Sequence, residues 1–367
     1  MVRPLVWIGA HSPGALTLPP ADPTPSHLYA PRGVYLDDQT LIVADSGNHR
    51  VLIWHGVPDC DGQPADVVLG QPDFYSEGPQ AAGRGPQHGM YLPTGVIVVD
   101  GQLYVADSWN HRILVWSRIP ETSSVPPDSV IGQANLDGCE PNRGGSVTGC
   151  GFYWPYGIGW VAGRFYIADT GNRRVLGWNG IPEDRQPPDL VLGQNDEYSH
   201  AENRGEAPSA CSFRWPHAIA GDNTTLYVAD AGNHRVLGWT PIPARDTPAC
   251  LVLGQRDFQS AWEMPHAPPG PSALRFPYAV VCESGRLIVA DTASNRVLVW
   301  RALPREGAFL PADAVIGQPD FAGNGENRWQ AVERDTLCWP YGISCCNNRL
   351  AIADSGNNRV IIWDISI

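Results

Sequence analysis

Lysine is absent from this sequence: all 25 basic residues among its 367 are arginine. That excludes Schiff-base chemistry and any other use of a lysine amine. Acidic residues number 38, so the formal net charge is −13, with a pI of about 5.1. A surface of that sign repels phosphate, and no nucleic-acid partner is expected. No run approaches 18 apolar residues, so no membrane-spanning helix is expected either. Cys-x-x-Cys, Gly-x-Ser-x-Gly, P-loop and His-Glu-x-x-His motifs are all missing, and no cofactor is anticipated. The nine cysteines are odd in number and mostly solitary, as suits a reduced, cytoplasmic chain. The first residues, MVRPLVWIGAHSPG, lack the apolar core of a secretory leader and read as strand material. Sustained helical periodicity is absent too, while 35 Pro and 39 Gly supply many turns.

What the sequence does have is one sentence written six times. It reads LIVADSGNHRVLIW from Leu41, LYVADSWNHRILVW from Leu103, FYIADTGNRRVLGW from Phe165, LYVADAGNHRVLGW from Leu226, LIVADTASNRVLVW from Leu287 and LAIADSGNNRVIIW from Leu350. The shared aspartates, Asp45, Asp107, Asp169, Asp230, Asp291 and Asp354, are spaced 62, 62, 61, 61 and 63 residues apart. A fixed period of this length marks one structural unit copied and stacked. In the first unit, strands are expected at Gly33–Asp37, Thr40–Ala44, His49–Trp54 and Val67–Gln71, the middle two joined by Asp-Ser-Gly-Asn hairpin chemistry. Four antiparallel strands repeated six times predict an all-β, six-bladed β-propeller occupying residues 1–367. The fourth run, VVLGQPDF at Val67, recurs after the first five hairpins but not after the sixth. Leu5–Ala10, LVWIGA, is a degenerate copy, so this N-terminal strand should complete the last blade, at 340–367.

The Asp-x-Gly-Asn-x-Arg-Val-x-x-Trp units resemble NHL repeats, and VLGQPDF resembles the element of bacterial NHL proteins. The resemblance covers nearly the whole chain and implies a six-bladed propeller, while leaving activity open. Some animal NHL propellers bind RNA through a basic face, which the charge here opposes.

Each long loop between blades ends in a proline: Pro31, Pro93, Pro155, Pro216, Pro277 and Pro340. Three residues earlier the position is always apolar (Leu28, Met90, Phe152, Phe213, Leu274, Leu337), as expected of a buried anchor. Two residues after the proline only Gly or Ala occurs, as expected where inner strands crowd the axis. One residue after it stand Arg32, Thr94, Tyr156, His217, Tyr278 and Tyr341, a polar and aromatic ring at the channel mouth. Two before it stand Tyr29, Tyr91, Tyr153, Arg214, Arg275 and Cys338. Tyr and Arg are residue types that anchor interfaces, so both sets are candidate binding residues for a protein partner or a small polar ligand. Five before it, Ser26, His88, Cys150, Cys211, Ser272 and Asp335 are expected to cap the loop. Cys139, Cys150, Cys211 and Cys338 raise the question of a soft-metal or redox site, although no metal is expected. The repeated Asp and Arg serve every blade and are read as structural, with Arg pairing across blades.

The leading expectation is a non-catalytic binding or scaffold propeller using its long-loop face and channel mouth. The alternative is a metal-dependent lyase or hydrolase at the axis. Peptidyl-hydroxyglycine amidating lyases, with an NHL-type propeller, hold zinc there through several His beside an Arg and a Tyr. Here the ring offers Arg32 and three Tyr but only His217, so that resemblance requires His88, His200 or His266 to fold inward.

Overall fold

In the computed structural model, described over residues 2–11, 20–263, 266 and 268–366, six four-stranded antiparallel sheets follow one another around a ring. Blade one runs Gly33–Leu36, Thr40–Asp45, Arg50–His55 and Val67–Leu69. The inner strands of blades two to six are Pro93–Val99, Pro155–Val161, Pro216–Gly221, Pro277–Glu283 and Pro340–Cys346. Each packs beside the next, and the sixth returns to the first. The apolar cores lie between blades: Ile8, Leu52, Trp54 and Ile362, from blades six and one, share one cluster. Period-two alternation therefore buries both faces of every sheet.

The closing strand is found at Arg3–Ile8, paired antiparallel with Arg359–Asp364, with Trp7 opposite Ile361. Asp61 clasps it, accepting the Trp7 N–H at 2.9 Å and pairing with Arg334, which also donates to the Leu5 carbonyl at 2.8 Å. The Arg359 guanidinium lies 4.0 Å from the Trp7 ring centre. A short strand, Gly307–Ala308, was not foreseen: it adds in parallel to the outer edge of blade four, at Leu251 and Val252.

The repeated turn works as a set of latches. In blade four, Asp230 Oδ1 accepts the Arg214 N–H at 2.9 Å, while Oδ2 accepts Asn233 Nδ2 at 2.7 Å and Arg235 Nε at 2.9 Å. Arg235 then donates to the carbonyls of Phe258, Ser209 and Ser212. The expected pairing across blades is thus corrected. Each arginine pairs with the aspartate five residues before it and fixes the loops entering and leaving its own blade, as Arg50 does with Asp45 at 2.7 Å. The residue after the Asn adopts left-handed φ (54° at His49, 53° at Asn358), a conformation Asn and His tolerate well. Its side chain reaches the next blade: Nδ1 of His49, His111 and His234 accepts the N–H of Leu92, Trp154 and Phe276. Asn295 and Asn358 do the same for Trp339 and Ala30. The hydroxyl after the Asp makes a second latch, Ser108 donating to the Pro155 carbonyl at 2.6 Å and Thr292 to that of Pro340 at 2.6 Å. These two latches grip the two residues that precede a ring position, as Trp154 and Pro155 precede Tyr156.

The Gly-Gln element anchors the long loop. Gly132 has φ +91°, and a Cβ there would lie 2.3 Å from the Phe152 ring, the buried apolar anchor of the following loop. Gln133 donates to the Glu140 carbonyl at 2.8 Å. The expected cap five residues before the proline is displaced: the capping oxygens are Thr24, Thr148 and Ser209, seven before it, accepting the N–H of Ser26, Cys150 and Cys211.

Candidate functional site at the axis

The ring residue of blades two to six sits in a β-bulge, where the register shifts between the proline and the strand that follows. A bulge inserts one extra residue and re-aims its side chain, and here the extra residue heads each inner strand. The small residues next in line are required by close approach. A Cβ on Gly157 would meet the His217 carbonyl oxygen at 2.1 Å, and one on Gly342 the Arg32 oxygen at 2.3 Å. Neighbouring backbone, rather than the axis itself, excludes a side chain.

Five of the six ring residues form one packed cluster. Tyr156 and His217 meet edge to face at 4.3 Å between centres, His217 and Tyr278 at 4.2 Å, and Tyr278 and Tyr341 at 4.6 Å. The Arg32 guanidinium lies 4.9 Å from the Tyr341 ring centre. Thr94 stands apart, its hydroxyl donating to the Tyr156 carbonyl at 2.7 Å. Tyr156 and His217 are buried, whereas Arg32, Tyr278 and Tyr341 are half-buried. Below the cluster an axial cavity of about 380 Å³ runs between the inner strands, with Tyr35, Trp160, Cys282 and Cys345 at its far end.

His217 Nδ1 lies 2.8 Å from the Trp215 carbonyl oxygen. A carbonyl only accepts, so Nδ1 carries the proton and Nε2 presents a lone pair. That Nε2 is buried and has no hydrogen-bond partner among the described residues. Burial, aided by the Arg32 charge, pushes the imidazole pKa down to about 3, so the ring stays neutral. Burial likewise raises the Tyr278 hydroxyl to about 12 and the Cys282 and Cys345 thiols to about 12.

The second candidate set does not join the ring. Tyr29 and Tyr153 lie over Gly47 and Gly171 of the hairpin turns, and Tyr91 packs against His49 and Trp109 at 5.3 Å each. Arg214 and Arg275 pair with Glu202 at 3.1 Å and Glu263 at 3.2 Å, while Cys338 is buried beside Gly356. A collar that the sequence reading missed does surround the ring: the residues just before the proline are Trp154, Trp215, Phe276 and Trp339 in four consecutive blades. Trp154 stands edge-on to His217 at 5.8 Å, and Trp339 stacks on Tyr341 at 6.4 Å. Reading the position immediately before each proline exposes it.

The donors that an axial metal needs are not assembled. His88, His200 and His266 are exposed on the loops, apart from the cavity lining that holds His217. Among the described residues, no three His, Cys, Asp or Glu are grouped to hold an ion. The nine cysteines are all unpaired, and Cys150 Sγ lies 3.2 Å from the Arg185 carbonyl. No helix among the described residues is long and apolar enough to cross a membrane.

Solved structures similar to this chain include the WD40 β-propeller domain of Doa1, at 12% identity over 96% of this chain and 97% of that one, with a TM-score of 0.48. The virginiamycin B lyase from Staphylococcus aureus is 12% identical over 95% and 98%, with a TM-score of 0.46. A streptogramin B lyase is 10% identical over 100% and 98%, also with a TM-score of 0.46. No curated protein matches the chain. The NHL repeat family matches residues 28–54 and 90–116, each stretch running from a buried loop anchor to the tryptophan of the third strand. Those are the first two of six copies of one unit, and the chain is a six-bladed β-propeller that carries NHL-repeat matches in its first two blades.

Proposed function

We propose that this is a non-catalytic binding propeller of the bacterial VLGQPDF type, acting in the cytoplasm. Its long-loop face docks a protein partner, and the ring at the channel mouth receives a polar group. The observation that supports this reading is the distribution of exposed aromatic surface. Among the described residues, ten large apolar side chains are exposed, and eight of them stand on the loops or hairpin turns of the long-loop face. They include Tyr29 (46% exposed), Trp109 (49%), Tyr153 (42%) and Trp329 (74%). Aromatic side chains left in water on one face of a propeller mark an interaction surface. Arg214 and Arg275, held by Glu202 and Glu263, add oriented donors to that face.

The test is retention of a stoichiometric partner from the native host, measured for the folded chain and two variants. Trp109→Ala with Tyr153→Ala should weaken the complex by about thirty-fold per anchor side chain. Trp160→Ala, on the opposite face, should leave it unchanged. Retention by the first variant, or loss by the second, sinks the assignment of the docking face.

A further inference from the structure

A protein of net charge −13 places a cation at its axis with nothing to balance it. Among the described residues no Asp or Glu lines the axial cavity, and Arg32 is its only charged side chain. Among the described residues Arg32 has no ion-pair partner; its neighbours are the face of Tyr341, at 4.9 Å, and the Tyr156 hydroxyl. A half-buried guanidinium without a counter-ion favours an arriving anion, and its planar fork matches a carboxylate. Close by, His217 Nε2 offers a buried lone pair with no donor. An unpaired buried acceptor is costly until a donor reaches it. A sulfate or other fully deprotonated oxyanion would set its oxygens against that lone pair. A carboxylate carrying an N–H or O–H a few atoms away satisfies both groups.

The rest of the cavity constrains the body of such a ligand. From the ring to the far rim each inner strand spans about five residues, roughly 15 Å of wall. The walls include Ile97, Gly159, Ala220 and Val281, a mixture of branched apolar and very small side chains. A volume of about 380 Å³ admits a narrow ligand only.

We propose that the axial cavity is a binding site for a carboxylate with an adjacent N–H or O–H donor and a slender apolar body. The carboxylate sits on Arg32, the donor on His217 Nε2, and the body lies along the inner strands. The proposal rests on the reading of the chain as a binding propeller. Free N-acylated amino acids and the C-terminal residues of an extended peptide share this chemistry.

Calorimetric titration of the full chain with three probes tests it: N-acetyl-L-leucine, N-acetyl-L-leucinamide, and a pentapeptide ending in leucine with a free carboxylate. Either acid should bind with a Kd at or below about 1 mM, and the amide at least about ten-fold more weakly. Arg32→Gln should abolish the preference for acid over amide, and Arg32→Lys should retain part of it. His217→Phe should weaken acid and amide together, because both carry the N–H. Binding of the small acid alone identifies a free acid as the ligand source, and binding of the peptide alone identifies a C-terminus; both uphold the site. No binding of either acid, equal affinity for acid and amide, or an unchanged preference in Arg32→Gln overturns it. The Trp109→Ala/Tyr153→Ala variant must still bind the acid, so failure of partner docking and failure of this site give different results.

Discussion

Replacing Asp230 by Ala tests whether the repeated Asp–Arg pair is the frame of the blade. Asp230 and Arg235 are both 0% exposed. The carboxylate accepts from Arg214 N–H, Asn233 and Arg235, so Asp230→Ala leaves the Arg235 charge buried without a counter-ion. Breaking a buried pair by removing one partner costs about 3–5 kcal/mol. At roughly 1.3 °C per kcal/mol for a chain of this length, the thermal midpoint should fall by about 4–6 °C. The double variant Asp230→Ala/Arg235→Met removes the stranded charge but should not restore wild-type stability. Arg235 also donates to the carbonyls of Phe258, Ser209 and Ser212, and buried acceptors left without donors cost about 1–3 kcal/mol each. Scanning calorimetry and urea unfolding followed by tryptophan fluorescence read both effects. A single variant melting within about 1 °C of the wild type refutes the framing role. Full recovery in the double variant would show that the pair acts alone, without its loop carbonyls.

Three further expectations concern closure, acid and thiols. Deleting residues 1–10 removes the burial of Val6, Trp7 and Ile8, worth roughly 5–8 kcal/mol, and opens the edge of Arg359–Asp364; a truncated chain that melts like the full one contradicts closure by this strand. Burial pushes His234 down from 6.5 to about 4, so between those values the unfolded chain takes up a proton that the folded one refuses, and stability falls as pH falls through that window. His234→Asn, which copies the latch made by Asn295 and Asn358, should therefore hold neutral stability and lose roughly 3 kcal/mol of the acid destabilisation between pH 6.5 and pH 4; denaturant unfolding at the two pH values shows whether it does. Cys60 is exposed, whereas burial pushes Cys282 and Cys345 up to about 12, so timed iodoacetamide labelling read by mass spectrometry should modify Cys60 first; prior labelling of Cys282 would contradict the burial of that thiol.

The six Asp-to-Trp copies made the propeller legible, because a period of about 62 residues leaves few other architectures, and the Gly-Gln run missing after the sixth copy pointed to the closing strand. The ring at Arg32, Tyr156, His217, Tyr278 and Tyr341 was legible as a set because each member follows a proline that marks the head of an inner strand. Other features depend on contacts between blades. The latch role of His49, His111 and His234 needs the next blade's backbone N–H, which no single repeat contains. Tyr29 and Tyr153 look like ring neighbours in sequence, yet their side chains lie over the hairpin glycines, a direction set by the Asp–backbone bond. Arg214 and Arg275 find their carboxylates in the long loops, where no period predicts position. The aromatic collar of Trp154, Trp215, Phe276 and Trp339 lay in the same alignment, one residue from the proline. Its left-handed backbone at Trp154 (φ 54°) and Trp339 (φ 52°), unfavourable for bulky residues, becomes tolerable only through the latch from the preceding blade.

The most direct test of the account is hydrogen–deuterium exchange on the complex with the partner captured from the native host. Docking on the long-loop face predicts new protection in the loops spanning residues 73–92 and 195–215 and in the turn at Ser108–Asn110. The connections at residues 56–66 and 118–128, on the opposite face, should exchange as in the free protein. Protection confined to those connections, with the long loops unchanged, would contradict it.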